Sequence, residues 1–584
     1  MILQALVDYY EELASQGKIA RPGWAKAKVS WALEIDEEGQ LLDVLPLRIP
    51  SQDGKKMLPR EMELPAPVKR SSGVLPNFLW DNASYILGQD NKGKPKRTAE
   101  CFDAARKLHI MLLAAADSAP AHAIAAFFTN WNPQEADTVP AFAEHREELL
   151  AGDNLCFLYN GKFAAEYPEI QAAWQRAYEE DGEGETEVCL ITGRESIPEL
   201  VHPAIKNVRD AQSSGAALVS FNAPAFCSFG REQNANAPVS KYAAFAYTSA
   251  LNHLLSEREH VKVIGNTTVV YWVKSAESQY QDVFAVLFDA DSSELSNTDM
   301  NALMTSIAAG KPYDYNGLPL KPENDFFILG ISPNAARLSV RFFYRRSFGE
   351  IIQNLKRHYE NIKIVSNGHS KFDTLPLWAL LRETVNQKSS DKSPLPQLAG
   401  DVMKSMLSGC RYPETLMNQT MLRIRAEREV NRGKAGIIKA YMIRNTENLP
   451  DRESILEVAQ VSLNADSSYC PYVLGRLFAV LEGTQQAANP GINATIKDRF
   501  FNSACATPAA VFPILLKLSN SHLKKLDTGK AVWWSKQIGD LIERLGTDFP
   551  AHQSLQEQGA FILGYYHQTQ KRFEKKTNPD KEEE

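Results

Sequence analysis

The β-type patterning of this chain stops at about Leu375, and the residues after it follow helical spacing. Before that point, runs rich in Val, Ile, Phe and Tyr occur at Val269–Val273, Val283–Phe288, Phe326–Ile331 and Leu338–Phe343, a composition that suits a pleated, half-buried surface. Beyond it, Met417–Ile443 reads as one long helical segment. Tyr472–Glu482, Pro508–Leu518, Val532–Leu545 and Gln553–Gln568 follow, with apolar residues three and four apart. The expected fold class is α+β: a large mixed N-terminal region over 1–375, a helical connecting segment over 376–455 and an all-α helical bundle over 456–584. Basic Asp90–Arg97, acidic Glu179–Glu187 and the linker-like Lys388–Pro396 punctuate the chain, and Lys571–Glu584 reads as a polar tail. A strand is expected at Val188–Ile191. No internal repeat is visible.

Composition excludes several classes. No apolar run approaches the roughly 20 residues needed to cross a bilayer, and Met1–Tyr10 lacks the basic start of a signal peptide. The seven cysteines are scattered with no CxxC pair, which fits a reducing cytoplasm better than a disulfide scaffold or zinc ribbon. A net charge of −7 rules out a simple electrostatic clamp on nucleic acid, whose affinity comes from neutralising phosphates. Any such binding must use a local patch or basic partners.

Catalytic signatures are missing: there is no HExxH, GxSxG, GxxxxGK[ST] or His-Asp dipeptide. Ser521-His-Leu-Lys524 matches SxxK in form only and reads as a solvated helix face. Cys189 and His202 supply two ligands where a structural zinc needs four, so Cys189 is expected to be a buried core residue, with no metal and no cofactor.

Three segments carry binding chemistry. In Ser220–Lys241, a β-type run, Ala217–Phe221, leads into a loop bearing Ser228, Gly230, Arg231, Gln233, Asn234 and Asn236, and Pro238 and Ser240 open a helix over Lys241–Leu255. Asn and Gln amides suit base edges and Gly permits close approach, while the same residues also serve ordinary turns. Lys69, Arg70, Ser71 and Ser72, beside Gly73, suit either a phosphate grip or a basic surface turn. Strand alternation places Arg337, Ser339, Arg341 and Phe343 on one face, fit for a nucleic-acid backbone, a solvated sheet face or a salt-bridged subunit contact.

Together these segments resemble the large subunit of the type I-C CRISPR Cascade over nearly the full length. The resemblance rests on Val201–Lys206, Ser213–Gly215, Val219–Asn222, Gln233 with Asn236–Ser240, Tyr247–Asn252 and Leu329–Arg341, and toward the end on Leu474–Glu482, Asn493–Arg499 and Leu563–Gln568. Phe229 departs from it, standing where a Tyr is expected before Gly230.

The resemblance implies a non-catalytic subunit that recognises the protospacer-adjacent motif in duplex DNA and promotes strand separation, while CRISPR RNA reads the target by base pairing. It implies further partners: the backbone, guide 5′-end-binding and small subunits of Cascade, and a separate helicase-nuclease that the complex recruits. The motif of such systems is rich in A·T pairs, which makes Gln233, Asn234 and Asn236 candidate readers of adenine and Arg231 and Lys241 candidate phosphate contacts. The C-terminal helices resemble the small subunit, which internal translation can supply, here from Val458, Val461 or Leu463. Lys497, Arg499, Lys524 and Lys525 become candidates for the displaced strand, or form a solvated helix face.

Overall fold

The computed structural model describes the whole chain except residues 52–55, 69–72, 92, 181–184, 290–296, 367–374, 391, 547–548 and 574–584. It divides into two compact units. One comprises Met1–Pro203 with Val219–Ala250, the other Ala204–Leu218 with Leu251–Glu584. In the second unit the apolar core continues across 375 and 455, so the compact units follow boundaries other than those read from the sequence pattern.

In the first unit, Asn154–Tyr159 is the central strand of a five-stranded sheet. It pairs in parallel with Trp31–Ile35 and antiparallel with Trp80–Asn82 and Lys162–Phe163, and Leu41–Pro46 completes the sheet beside Trp31–Ile35. A parallel pair needs a long crossover, supplied here by a segment that includes helices Pro95–Leu113 and Ala119–Asn130. Their apolar faces bring Phe128 and His109 together at 4.2 Å, and Phe157 of the central strand packs edge-on to Phe128. His109 Nε2 accepts the Leu79 N–H, so this buried ring is held neutral, its pKa lowered by burial to about 4.

The second unit is built on an antiparallel sheet of β1 (Val261–Ile264), β2 (Thr267–Val273), β3 (Asp325–Asn334) and β4 (Arg337–Ser347), in that order, with β4 at the edge. β2 is buried along its whole length, so both faces of the sheet are covered there. Val283–Phe288 is not a strand: it lies in helix Ser278–Asp289, where Tyr280, Val283, Phe284 and Leu287 share the buried side. A short run of Val, Phe and Leu has the same local appearance in a buried helix and a buried strand. Met417–Ile443 is likewise two helices, Glu414–Glu427 and Arg432–Asn445. Arg428 turns left-handed between them (φ +55°) and the Asn431 side chain caps the second by accepting the Lys434 N–H.

Beyond helix α1 (Pro396–Ser408), the C-terminal helices are α2 (Cys470–Ala488), α3 (Ile496–Ala506), α4 (Pro508–Leu523), α5 (Thr528–Leu545) and α6 (Leu555–Lys571). α2 is buried on every side from Pro471 to Thr484, and α6 from Gln558 to Gln568. They cross backbone to backbone at two glycines. A Cβ on Gly475 would overlap the Phe561 carbonyl oxygen, and one on Gly564 would overlap that of Tyr472. Polar side chains sealed into this crossing are paired: Tyr472 with His567 at 2.9 Å, Arg476 with Gln568 at 3.1 Å, and Glu482 with Tyr565 at 2.7 Å.

Buried histidines make the second unit acid-sensitive. His358 lies 2.6 Å from the Tyr412 hydroxyl and His567 stands against Tyr472. The other ring nitrogen of each, Nε2, has no partner. Burial lowers their pKa values to about 3 and about 4. The unfolded chain therefore takes up these two protons first, and the stability they protect is complete above pH 6.5 and lost as pH falls toward 4. We expect a loss of roughly 1.4 kcal/mol per pH unit for each histidine over that interval. Thermal denaturation between pH 7.5 and 5 measures it, and a melting temperature flat across that range would contradict neutral, buried rings.

Candidate nucleic-acid interface

The loop 222–240 belongs to the first unit and is tied down at its end. Leu190 N–H donates to the Pro238 carbonyl at 2.9 Å and Glu199 N–H to that of Val239 at 2.8 Å, while Cys189 Sγ accepts the Ser240 N–H at 3.2 Å. Burial alone would raise the Cys189 thiol, but N–H donors from Ser240 and Thr192 outweigh it and bring the pKa down to about 7. Cys189 is thus a buried anchor, as the sequence suggested. The strand there is shorter than expected, Glu187–Val188, and Ala217–Phe221 contributes only a single bridge, Ala217 to Arg337.

Inside the loop the amides have different work. The Asn236 side chain is consumed by its own loop: Oδ1 accepts the Ser228 N–H at 2.8 Å, and Nδ2 donates to the carbonyls of Arg231 at 3.1 Å and Gln233 at 2.9 Å. Asn234 is buried, 2% exposed, so its amide faces no solvent. Contrary to the expectation, neither side chain is offered to base edges. The Asn236 amide is taken up by backbone groups of a tight loop that must find partners, and the Asn234 amide is enclosed, its Oδ1 without a hydrogen-bond partner among the described residues. Gln233 is exposed, on a left-handed residue (φ +44°).

The most exposed feature is Phe229. It is 100% exposed, left-handed (φ +55°), and followed by Gly230 (φ +70°). A bulky residue in that region is uncommon and persists only where surrounding contacts impose it, here the three Asn236 bonds. In the sequence Phe229 stood out only as a departure from a family pattern. A lone aromatic next to Gly in a polar loop was the available signal. Ser228 is exposed beside it. Arg231 pairs with Glu187 at 2.6 Å and also donates to the Ala235 carbonyl at 2.8 Å. Lys241, opening the helix Lys241–Ser256, donates to the Tyr178 carbonyl at 2.9 Å with its ammonium 4.1 Å from that ring's centroid, a contact that fixes the helix start.

The other candidates are dispersed. Lys69, Arg70, Ser71 and Ser72 lie outside the described residues. Arg337 and Arg341 both lie on β4, but strict alternation fails between them. Ile331 pairs with Val340 and Gly330 with Phe342, leaving Arg341 as the extra residue of a β-bulge, so the two arginines do not share a face by simple register. Lys497 and Arg499 sit in the first turn of α3, Arg499 5.2 Å from the Phe500 ring. Lys524 and Lys525 are exposed just past the end of α4, where Lys525 donates to Asn489 Oδ1 at 3.0 Å. Among the described residues no group of three His, Cys, Asp or Glu side chains could hold a metal ion, and no helix is long and apolar enough to cross a membrane.

The mixed fold with a helical C-terminal region carries this aromatic-tipped loop, and the family comparison gives the class its name: CRISPR-associated proteins. The chain belongs to the family described as CRISPR-associated protein (Cas_Csd1), whose model matches residues 6–573, the family of the type I-C Cascade large subunit. No curated protein matches the chain.

Proposed function

We propose that this Cascade subunit recognises the protospacer-adjacent motif with the loop 228–236 and opens the duplex beside it. The carrying observation is Phe229, wholly exposed on a loop whose shape Asn236 fixes from within. Apolar side chains inserted between base steps unstack them and kink the duplex, at a cost of a few kcal/mol per step that a preshaped loop helps to offset. Gln233, four residues on and exposed, is the loop's reader of base edges, able to bond adenine through both amide atoms. Arg231 is the adjacent phosphate contact. Its partly exposed pair with Glu187 is worth only about 0.2–1 kcal/mol, so a phosphate readily replaces it.

In this reading CRISPR RNA carries sequence specificity, the backbone, guide 5′-end-binding and small subunits hold the complex together, the helicase-nuclease arrives from outside, and the subunit itself is not an enzyme. Lys497, Arg499, Lys524 and Lys525 guide the displaced strand. A separate C-terminal product starting near Leu463 would uncover Gly559 of α6, which faces Met417, Ile438 and Met442, so that product must find an apolar replacement.

The test uses the assembled complex carrying Gln233→Ala. We expect binding to fall about tenfold or more on duplexes with the correct motif, from about 1–3 kcal/mol per bidentate contact, and to stay unchanged on duplexes lacking it. Equal loss on both removes the base-reading role.

A further inference from the structure

The second unit carries a groove to which the motif-reading loop contributes no residue, so its function is independent of that loop. It is a cleft of about 1000 Å³ along β4 and α1, lined among others by Arg341, Phe342, Tyr344, Gln397, Asp401 and Lys404. That is the upper end of the roughly 300–1,000 Å³ typical of ligand sites, and it is too polar to be a gap in the core.

We propose that this groove binds unpaired nucleotides of a single strand. Three observations converge. First, its cations are available. Arg345 pairs with Asp325 and Arg346 with Glu350, whereas Arg341 on the same strand, and Lys404 on α1, form no ion pair among the described residues. Second, two aromatic rings line the groove: Phe342 and Tyr344, both half-buried, stack at 5.4 Å. A base laid against these rings extends the pair, and aromatic platforms combined with a basic track are how single strands are held. Third, Gln397 and Asp401 lie one helical turn apart on α1 and are both exposed in the lining. They supply an amide and a carboxylate, which suits base edges such as the cytosine amino group and places the phosphates on the side of Arg341 and Lys404.

The edge position of β4 also suggests an added peptide strand, but the bulge at Arg341 argues against it. An added strand needs the regular ladder that the bulge interrupts at the groove itself. A duplex is disfavoured as well, since paired bases cannot reach the aromatic rings.

The experiment uses the full chain, labelled 15-mers of deoxythymidine and of uridine, and a 15-base-pair duplex. Arg341→Gln with Lys404→Gln, both exposed positions, is expected to weaken single-strand binding at least tenfold and leave the duplex unaffected. The slope of log affinity against log salt should shrink by about 1.4, from about 0.7 for each of two phosphates no longer neutralised. Whichever 15-mer is weakened identifies the strand as DNA or RNA, and weakening of either supports the site. As a second readout, 5-bromouracil in the oligonucleotide should crosslink within residues 341–344. Unchanged single-strand affinity, equal weakening on the duplex, or crosslinks confined to other segments overturns the proposal, and each is separable from the motif-dependence measured on the Gln233 variant.

Discussion

Gly564→Ala, and with it Gly475→Ala, is expected to cost about 3 kcal/mol or more and to leave the C-terminal helices unable to close. The two helices approach so tightly that the added methyl meets a carbonyl of the facing backbone, not a side chain that can swing away. Relief requires separating α2 from α6, and separation strands the Tyr472–His567, Arg476–Gln568 and Glu482–Tyr565 pairs in an interior that no longer joins them. Gly539 of α5 provides the control: its Cβ would meet nothing within 4 Å, so Gly539→Ala should raise stability, by up to about 1 kcal/mol from helix propensity. Thermal unfolding followed by circular dichroism compares the three. Equal melting temperatures for Gly564→Ala and the parent would mean that the helices do not cross at these glycines.

Phe229→Ala is expected to slow target opening by the assembled complex about ten- to a hundredfold while leaving the protein's stability within about 0.5 kcal/mol, since a wholly exposed ring contributes little to folding. The deficit should vanish on a target whose base pairs next to the motif are mismatched beforehand, because the unstacking the ring performs is then already complete. Asn236→Ala should reproduce the same defect without removing the ring, by releasing the three bonds that hold the loop. A Phe229→Ala deficit that persists unchanged on the pre-opened target would assign the ring to binding and not to strand separation.

Much of the architecture was legible from spacing. The strands Thr267–Val273 and Asp325–Asn334, the edge strand Arg337–Ser347 and the helices after Leu375 all follow from residue type and period. Two misreadings share a cause. Val283–Phe288 and the break inside Met417–Ile443 depend on what lies opposite each residue and on a left-handed Arg428, neither of which periodicity encodes.

The functional loop shows the same division. Sequence by itself determined that residues 228–236 are a polar, Gly- and Asn-containing loop before a helix, because turn chemistry and helix starts are local. It also determined the family, through long ordered strings of residues. Only the tertiary structure decided which side chains the loop keeps and which it offers. Asn236 is drawn inward by backbone groups that must be satisfied, Asn234 is buried, and Phe229 is left wholly exposed on a left-handed backbone. The groove along β4 was likewise beyond sequence reading. Arg341 and Lys404 are brought to one cleft only by packing α1 beside a bulged edge strand.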